Sequence, residues 1–396
     1  MTIERAEVGI IGGGVVGTSI AYRLARAGKR VVLVERADLA AGSSGACDKA
    51  IFVQSKAPGI HLELALRSAE LYRGLSRELD YDIEYKPRGG MIVIQTRDQL
   101  EVMEHLAARQ RESGLDVRRL SPEEARAREP VLSGDLLGAT HSSRDAEVNP
   151  IRLTLGLARA AARHGAKILV HTEAKGIGVR NGRAESIFTD QGEIRAEVIV
   201  NAAGVWAPQI GRMVGLEVPI VPRRGQILVT ERVPEMVGSV ILCARYIAAK
   251  YHPDLARNGE GEVARLGVGL SLGQTRSGNI LIGGSREFVG YDRRTTREAM
   301  VTIGRHALQI APGLKGIRAI RAFAGLRPYT PDGLPILGFV EGVGNFIMAA
   351  GHEGDGIALA AITGQLIAEL VLGGQASTSL EPFRLSRFKG GGRTAG

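Results

Sequence analysis

The stretch "AEVGIIGGGVVGTSIAYRLARAGKRVVLVER", Ala6 to Arg36, decides the fold of this chain. "AEVGIIG" reads as a buried strand, "GGGVVG" as a turn, "TSIAYRLARAGK" as a helix ending at Gly28, and "RVVLVER" as a second strand. That is one βαβ unit. Gly12, Gly14 and Gly17 form G-x-G-x-x-G directly after the strand and open the helix. The first glycine permits the tight turn, the second lets the backbone approach a pyrophosphate, and the third allows close helix–strand packing. The helix N-terminus stabilises the phosphates. Glu35 closes the second strand, placed to accept hydrogen bonds from a ribose, and its charge would repel a 2′-phosphate. A tight turn with no ligand would leave Glu35 unexplained. The pattern therefore predicts a dinucleotide site and does not separate NAD from FAD.

Beyond this unit the chain alternates helical and strand-rich stretches. "GIHLELALRSAELYRGLSREL", "RDQLEVMEHLAARQRESG" and "SPEEARAREP" read as helices, the last capped by Ser121 with acids in its first turn. "NPIRLTLGLARAAARHGAK" is an amphipathic helix with Asn149 as cap, Pro150 at the first position and Gly165 at the end. Strands follow through an Asn-Gly hairpin signal, "VRNGR". After Gly215 come more strands, one helix, "TTREAMVTIGRHALQIAP", and the closing stretch "AAGHEGDGIALAAITGQLIAEL", a glycine-rich turn running into an apolar helix. "CARYIAAKYHPDLARNGEG" reads as a polar, irregular insertion between strands, and the basic tail "RFKGGGRTAG" as a frayed end.

The 396 residues allow two domains or one large composite, and 44% hydrophobic content supplies a large core. The formal charge of +9 permits an anionic partner, but Lys and Arg are dispersed beside acids, as on a solvated surface, so nucleic acid is not expected. Cys47 and Cys243 have no metal-ligand spacing and no disulfide framework, which suits a reducing compartment; we expect a cytoplasmic protein without a metal site. No secretory signal and no membrane-spanning stretch is visible.

Two further motifs choose the dinucleotide. "VIVNAAGVWAPQIGRMVG", residues 198 to 215, carries N-A-A-G-x-W-A, and "GLRPYTPDGLPILG" carries G-L-R-P-x-x-x-D-G-x-P-x-x-G. With the glycine fingerprint they make the whole chain resemble the D-amino acid oxidase superfamily of flavoenzymes, the branch of glycine and sarcosine oxidases. The resemblance implies FAD and an α/β fold in which a Rossmann-type FAD-binding domain (1–85, 145–217 and 322–390) interleaves with a mixed-sheet α+β substrate domain (86–144 and 218–321). It implies cofactor contacts at Gly12, Gly14, Gly17, Glu35, Arg36, Ser43, Ser44, Ala203, Gly204, Trp206, Gly351, His352, Gly354, Gly356 and Ile357. The turn Gly351–Gly356 would face the flavin ring and the following helix would point its N-terminus at the pyrimidine edge, where reduced flavin carries negative charge.

At the substrate end the resemblance gives Arg327 the role of holding a carboxylate, which a planar guanidinium does bidentately; an arginine paired with a structural acid is the other reading. Tyr246 and Tyr251 sit where relatives carry a lid; a plain surface loop is the other reading. Lys49 lies where related chains pass close to the flavin, or else pairs with Asp48. His352 either touches the site or caps the helix; Asp355 reads as an N-cap. Asp332 and Gly333 read as a structural turn. No cysteine follows Cys243, so the covalent flavin link of some sarcosine oxidases is not carried over.

The implied chemistry is hydride transfer from the Cα of an amine substrate to flavin N5, giving an imine. The segments around Asp48 and His352 are most similar to flavin subunits of opine, hydroxyproline and proline dehydrogenases, which implies a small secondary-amine substrate with a carboxylate, an oligomer and an electron-transfer partner subunit. A self-sufficient oxidase making hydrogen peroxide, a flavin-dependent tRNA-modifying enzyme and a non-catalytic flavoprotein are the competing readings.

Overall fold

The computed structural model describes residues 2–251, 261–373 and 376–388, without the side chains of residues 2 and 248–251. Of the tail expected to fray from Arg387 on, Arg387 and Phe388 instead end the short 3-10 helix Leu385–Phe388, with Arg387 Nε 2.7 Å from Asp332 Oδ2, and residues 389–396 lie outside that set. The elements that position the site are, in chain order, β1 (Thr2–Ile11), α1 (Val15–Arg26), β2 (Val31–Val34), α2 (Ile60–Glu78), β3 (Gly192–Asn201), β4 (Val221–Arg232), α3 (Ala244–Tyr251), β5 (Ala319–Tyr329), β6 (Phe346–Ala350) and α4 (Gly356–Val371).

Among the described residues the strands form two eight-stranded sheets and one two-stranded sheet, Ala50–Ile51 with Ala146–Glu147. In the first, β1 lies between β3 and β2, parallel to both, and β6 pairs parallel with β3. Lys167–Leu169 extends the sheet beyond β2, and Ile336–Phe339 closes the other edge antiparallel to β6. Near-continuous apolar runs such as "VVLV" in β2, buried along their whole length, suit strands covered on both faces. One face packs on α1, α2, α4 and the helix Pro150–Arg163. The other is covered by Ile177, Ile187, Ile210 and their neighbours, the first two from the hairpin Ala174–Arg180/Arg183–Thr189.

Small residues bring the helices close. A Cβ on Gly364 of α4 would stand 2.1 Å from Ser19 Oγ of α1. α4 is apolar all round and its residues from Ile357 to Gly364 are all buried, as befits a central helix rather than a surface one.

The second sheet runs β5, β4, Asn279–Gly283, Ser271–Gln274, Val240–Cys243, Gly90–Ile94, Gly138–Ser142 and Val117–Leu120. It is antiparallel except between Val240–Cys243 and Gly90–Ile94. The helix Arg297–Ile310 packs its Ala299, Ile303, Ala307 and Ile310 on one face.

The insertion after Cys243 begins as the helix α3, not as irregular chain. Ala244 and Ile247, one turn apart, are buried with Val240, Leu242 and Met103, which gives the segment an apolar face to fold on. Among the described residues, no helix is long and apolar enough to cross a membrane.

Candidate active site

An elongated cleft runs from the β1–α1 turn to the facing strands β4 and β5. It encloses roughly 1560 Å3 counted out to its mouth, open solvent included. At its nucleotide end the three fingerprint glycines have separate reasons. Gly12 has φ +120° and its Cβ would strike the Ala202 carbonyl at 2.5 Å. Gly17 has no room either, because a Cβ there would be 1.9 Å from the Gly12 carbonyl. Gly14 faces open space with only Ser44 Oγ nearby, at 3.2 Å. The first and third glycines serve the chain, and the second leaves space for a ligand.

Glu35 lines the cleft at the end of β2, its carboxylate fixed by the N–H groups of Gly13 at 2.7 Å and Ala37 at 2.9 Å. Ser44 Oγ accepts from Val15 N–H at 3.0 Å, bringing the 42–48 loop onto the start of α1. Ser43 donates to the Leu326 carbonyl and so ties this loop to β5. Arg36 stacks its guanidinium 4.2 Å over the Trp206 ring. Both line the cleft with Ala203 and Gly204, the latter at φ +55°.

At the other end β4 and β5 pair antiparallel, with Arg223 opposite Arg327 and Gly225 opposite Gly325. Alternate residues share a face, so these four point the same way. A Cβ on Gly225 would lie 2.2 Å from Arg327 Nη1; one on Gly325 would lie 2.1 Å from the Ala46 carbonyl. The glycine pair therefore lets the Arg327 guanidinium lie flat on the sheet and lets the 42–48 loop cross it.

Arg327 Nη1 donates to the Ser285 carbonyl at 3.0 Å, and among the described residues no acid pairs with it. Arg223 instead pairs with Glu353. Tyr246 lines the cleft opposite, with the Arg286 guanidinium 3.5 Å from its ring centroid. Gly354 separates the two: a Cβ there would be 3.3 Å from Tyr246 Oη and 3.6 Å from Arg327 Nε.

His352, Glu353, Gly354, Gly356 and Ile357 line the cleft between these ends. The His352 Nε2 is 3.0 Å from Thr363 Oγ1 of α4. Burial pushes its pKa down to about 4 against the opposing pull of Asp355, so the imidazole is neutral.

The model of the FAD dependent oxidoreductase family DAO matches residues 7–370. The chain belongs to the DAO family of FAD dependent oxidoreductases. It is 30% identical to hydrogen cyanide synthase subunit HcnC of Pseudomonas protegens, over 98% of this chain and 97% of the relative. It is also 30% identical to glycine oxidase of Geobacillus kaustophilus, over 98% of each. The crystal structure of L-proline dehydrogenase from P. horikoshii superposes with a TM-score of 0.88 at 27% identity, covering 98% of this chain and 99% of that one.

The resident cofactor of a DAO enzyme is FAD, and the cleft suits it. The open face of Gly14, the acid ending β2 and the length of the cavity provide for pyrophosphate, ribose and a long ligand in that order.

Other expected site residues lie elsewhere. Lys49 does not line the DAO cleft. Its ammonium is buried 2.9 Å from Glu147 and donates to the Gln274 carbonyl, so its partner is Glu147 and not Asp48. Burial lowers its pKa, with Glu147 opposing. Gly351 stands behind the cleft at φ +81°, against Thr330 and Ile220. Tyr251 ends α3, and its side chain is outside the described residues.

Asp355 occupies the N-cap position of α4 but makes no capping bond with its side chain. It pairs with Lys56 at 2.7 Å and lies 3.2 Å from His61. Asp332 does form the turn, accepting from Leu334 N–H at 3.1 Å beside Gly333 at φ +73°. Sequence reasoning missed Gly225, Gly325, Arg223 and Lys56. The paired glycines at alternate positions of two facing strands were the available signal; the buried ion pairs left none.

Proposed function

We propose that this DAO enzyme oxidises the C–N bond of a small, carboxylate-bearing amine, a secondary amino acid or opine, to an imine and passes the electrons to a partner protein. One observation carries the reading: the Arg327 guanidinium is held flat beside the turn Gly351–Gly356 and has no acid partner among the described residues. A substrate carboxylate would complete it, bidentately.

In this reading the cofactor lies along the cleft on the unit of the first sheet (1–85, 145–217 and 330–390), and the substrate is closed in by the second sheet (86–144 and 218–329); the boundary expected at 322 moves because β5 pairs along its length with β4. Bound FAD supplies the hydride acceptor at the substrate end. Arg327 fixes the carboxylate and with it the orientation of Cα. The Tyr246 ring forms the opposite wall, stiffened by Arg286 stacked upon it. The glycine turn lets backbone reach the cofactor closely, and the start of α4 favours negative charge there. Neutral His352 holds the turn to α4 through Thr363 and moves no proton at neutral pH.

The name of the proline dehydrogenase neighbour supports a secondary amine and onward electron transfer. With two cysteines the chain cannot supply the roughly four thiolates of an iron–sulfur cluster, so a relay of that kind would belong to a partner. The glycine oxidase relative favours a second reading, a self-sufficient oxidase. Turnover of the purified chain with its best substrate, compared between oxygen and an artificial dye, separates them. Faster turnover with dye supports the dehydrogenase reading. Fast turnover with oxygen, stoichiometric hydrogen peroxide and no gain from dye supports the oxidase.

A further inference from the structure

Beneath the turn Gly351–Gly356, on the side away from the cleft, lies a buried cluster that none of the roles above uses. Lys56 is 1% exposed, and its ammonium sits 2.7 Å from Asp355 Oδ1. It also donates to the Phe52 carbonyl at 2.6 Å and to Ser55 Oγ at 2.8 Å. His61 Nε2 is 3.2 Å from the second oxygen, Asp355 Oδ2.

The loop that carries Lys56 is itself fixed. Gln110 Nε2 donates to the carbonyls of Gln54 and Lys56, each at 2.8 Å. Asp145 Oδ1 accepts from Val53 N–H at 2.6 Å and Gln54 N–H at 3.2 Å. A buried lysine is costly unless paired, and so is a buried aspartate. Two such groups on separate, rigid segments, meeting at the start of α4, form a built contact.

An aspartate at an N-cap ordinarily turns its carboxylate onto the first N–H groups of the helix. Here it is drawn away, leaving the first turn of α4 uncapped by side chain where Gly356 and Ile357 line the cleft. We propose that Lys56 is a positioning residue for the redox site: its ion pair holds the Asp355 carboxylate off the N-terminus of α4 and neutralises it, so that the cofactor end of the cleft meets open N–H groups and a balanced pair rather than a bare negative charge. The proposal rests on FAD occupying the cleft as described above. A bare carboxylate behind the turn would oppose the negative charge that two-electron reduction brings, and an unopposed lysine would favour it.

The test is the reduction potential of FAD-loaded protein, measured by equilibration with a reference dye in the absence of substrate. In Lys56→Gln the ratio of reduced to oxidised flavin at fixed potential falls by about tenfold, the order expected of losing one nearby charge. In Asp355→Asn it rises; in the double variant it returns close to wild type; in Lys56→Arg it stays within about twofold. A purely structural contact would move both single variants in the same direction or neither. That result in folded, FAD-loaded variants overturns the proposal alone. If Lys56→Gln does not fold, Asp355→Asn decides: a rise supports the proposal, and no change or a fall overturns it. A wild-type protein that takes up no FAD overturns the reading of the cleft and this proposal with it.

Discussion

Arg327 is held by geometry that other residues create. Its guanidinium lies where the Gly225 side chain would be, and its Nη1 is fixed by the Ser285 carbonyl. Removing one member of a buried charged pair costs roughly 2–5 kcal/mol. Arg327→Ala should therefore lower kcat/KM by roughly 30- to 5,000-fold, at tenfold per ~1.4 kcal/mol, while bound FAD remains stoichiometric. Unchanged steady-state kinetics would remove Arg327 from the substrate site. Gly225→Ala should act on the same step from a distance, displacing the guanidinium and raising KM without loss of FAD; a KM equal to wild type would show that the guanidinium can move at no cost.

His352 makes a pH prediction at the same scale. Its folded pKa, about 4, lies below the ordinary 6.5 because burial disfavours the cation. The unfolded chain thus binds more protons between those values, so His352 contributes stability that is present above about pH 6.5 and lost as pH falls towards 4. The whole contribution is on the order of 3 kcal/mol, at ~1.4 kcal/mol per pH unit. His306, also lowered to about 4 by burial, titrates in the same window. His352→Gln should flatten the fall in thermal stability between pH 6.5 and 4 relative to wild type. An unaltered pH profile would contradict a neutral, buried His352.

At the scale of elements, the contact of α1 with α4 depends on Gly364. A Cβ at that position falls 2.1 Å from Ser19 Oγ and 2.9 Å from Ser19 backbone carbon, so the helices must separate to admit one. Gly364→Val should destabilise the fold by ~1–3 kcal/mol, the usual cost of overpacking, and should weaken FAD retention because α1 and α4 both border the cleft. Chemical denaturation and the FAD content of the purified variant check this. A variant as stable as wild type would mean that the helices are not in close contact.

The elements also show what sequence could and could not yield. Period and punctuation are local, so the βαβ unit, the capped helices at Ser121 and Asn149 and the terminal turn into α4 were legible. The segment after Cys243 was misjudged because its polar residues mask the one-turn spacing of Ala244 and Ile247, whose apolar partners come from distant strands. Lys49 and Asp355 were given neighbours in sequence, Asp48 and the helix amides. Their actual partners, Glu147 and Lys56, are brought to them only by the folded chain.

At the scale of the whole molecule, the cofactor of the proposed reading lies between two sheets of unlike construction. The first sheet, parallel at its centre, brings the carboxyl ends of β1 and β2 and the start of α1 to the end of the cleft proposed for the nucleotide. The mostly antiparallel second sheet carries Arg327 and the crossing glycines at the end proposed for the substrate. The terminal turn joins them, because β6 belongs to the first sheet while the Glu353 N–H donates to the Pro328 carbonyl of β5 in the second, at 3.1 Å. The central claim is that the two ends act on one molecule of a carboxylate-bearing amine. The most direct test is anaerobic mixing of the FAD-loaded protein with amino acids, N-methyl amino acids and opines, following the visible absorbance of the flavin. The account predicts that at least one such amine bleaches the flavin, and that Arg327→Ala with FAD still bound needs far more of it. Flavin that no amine bleaches, or that bleaches equally well in Arg327→Ala, would contradict it.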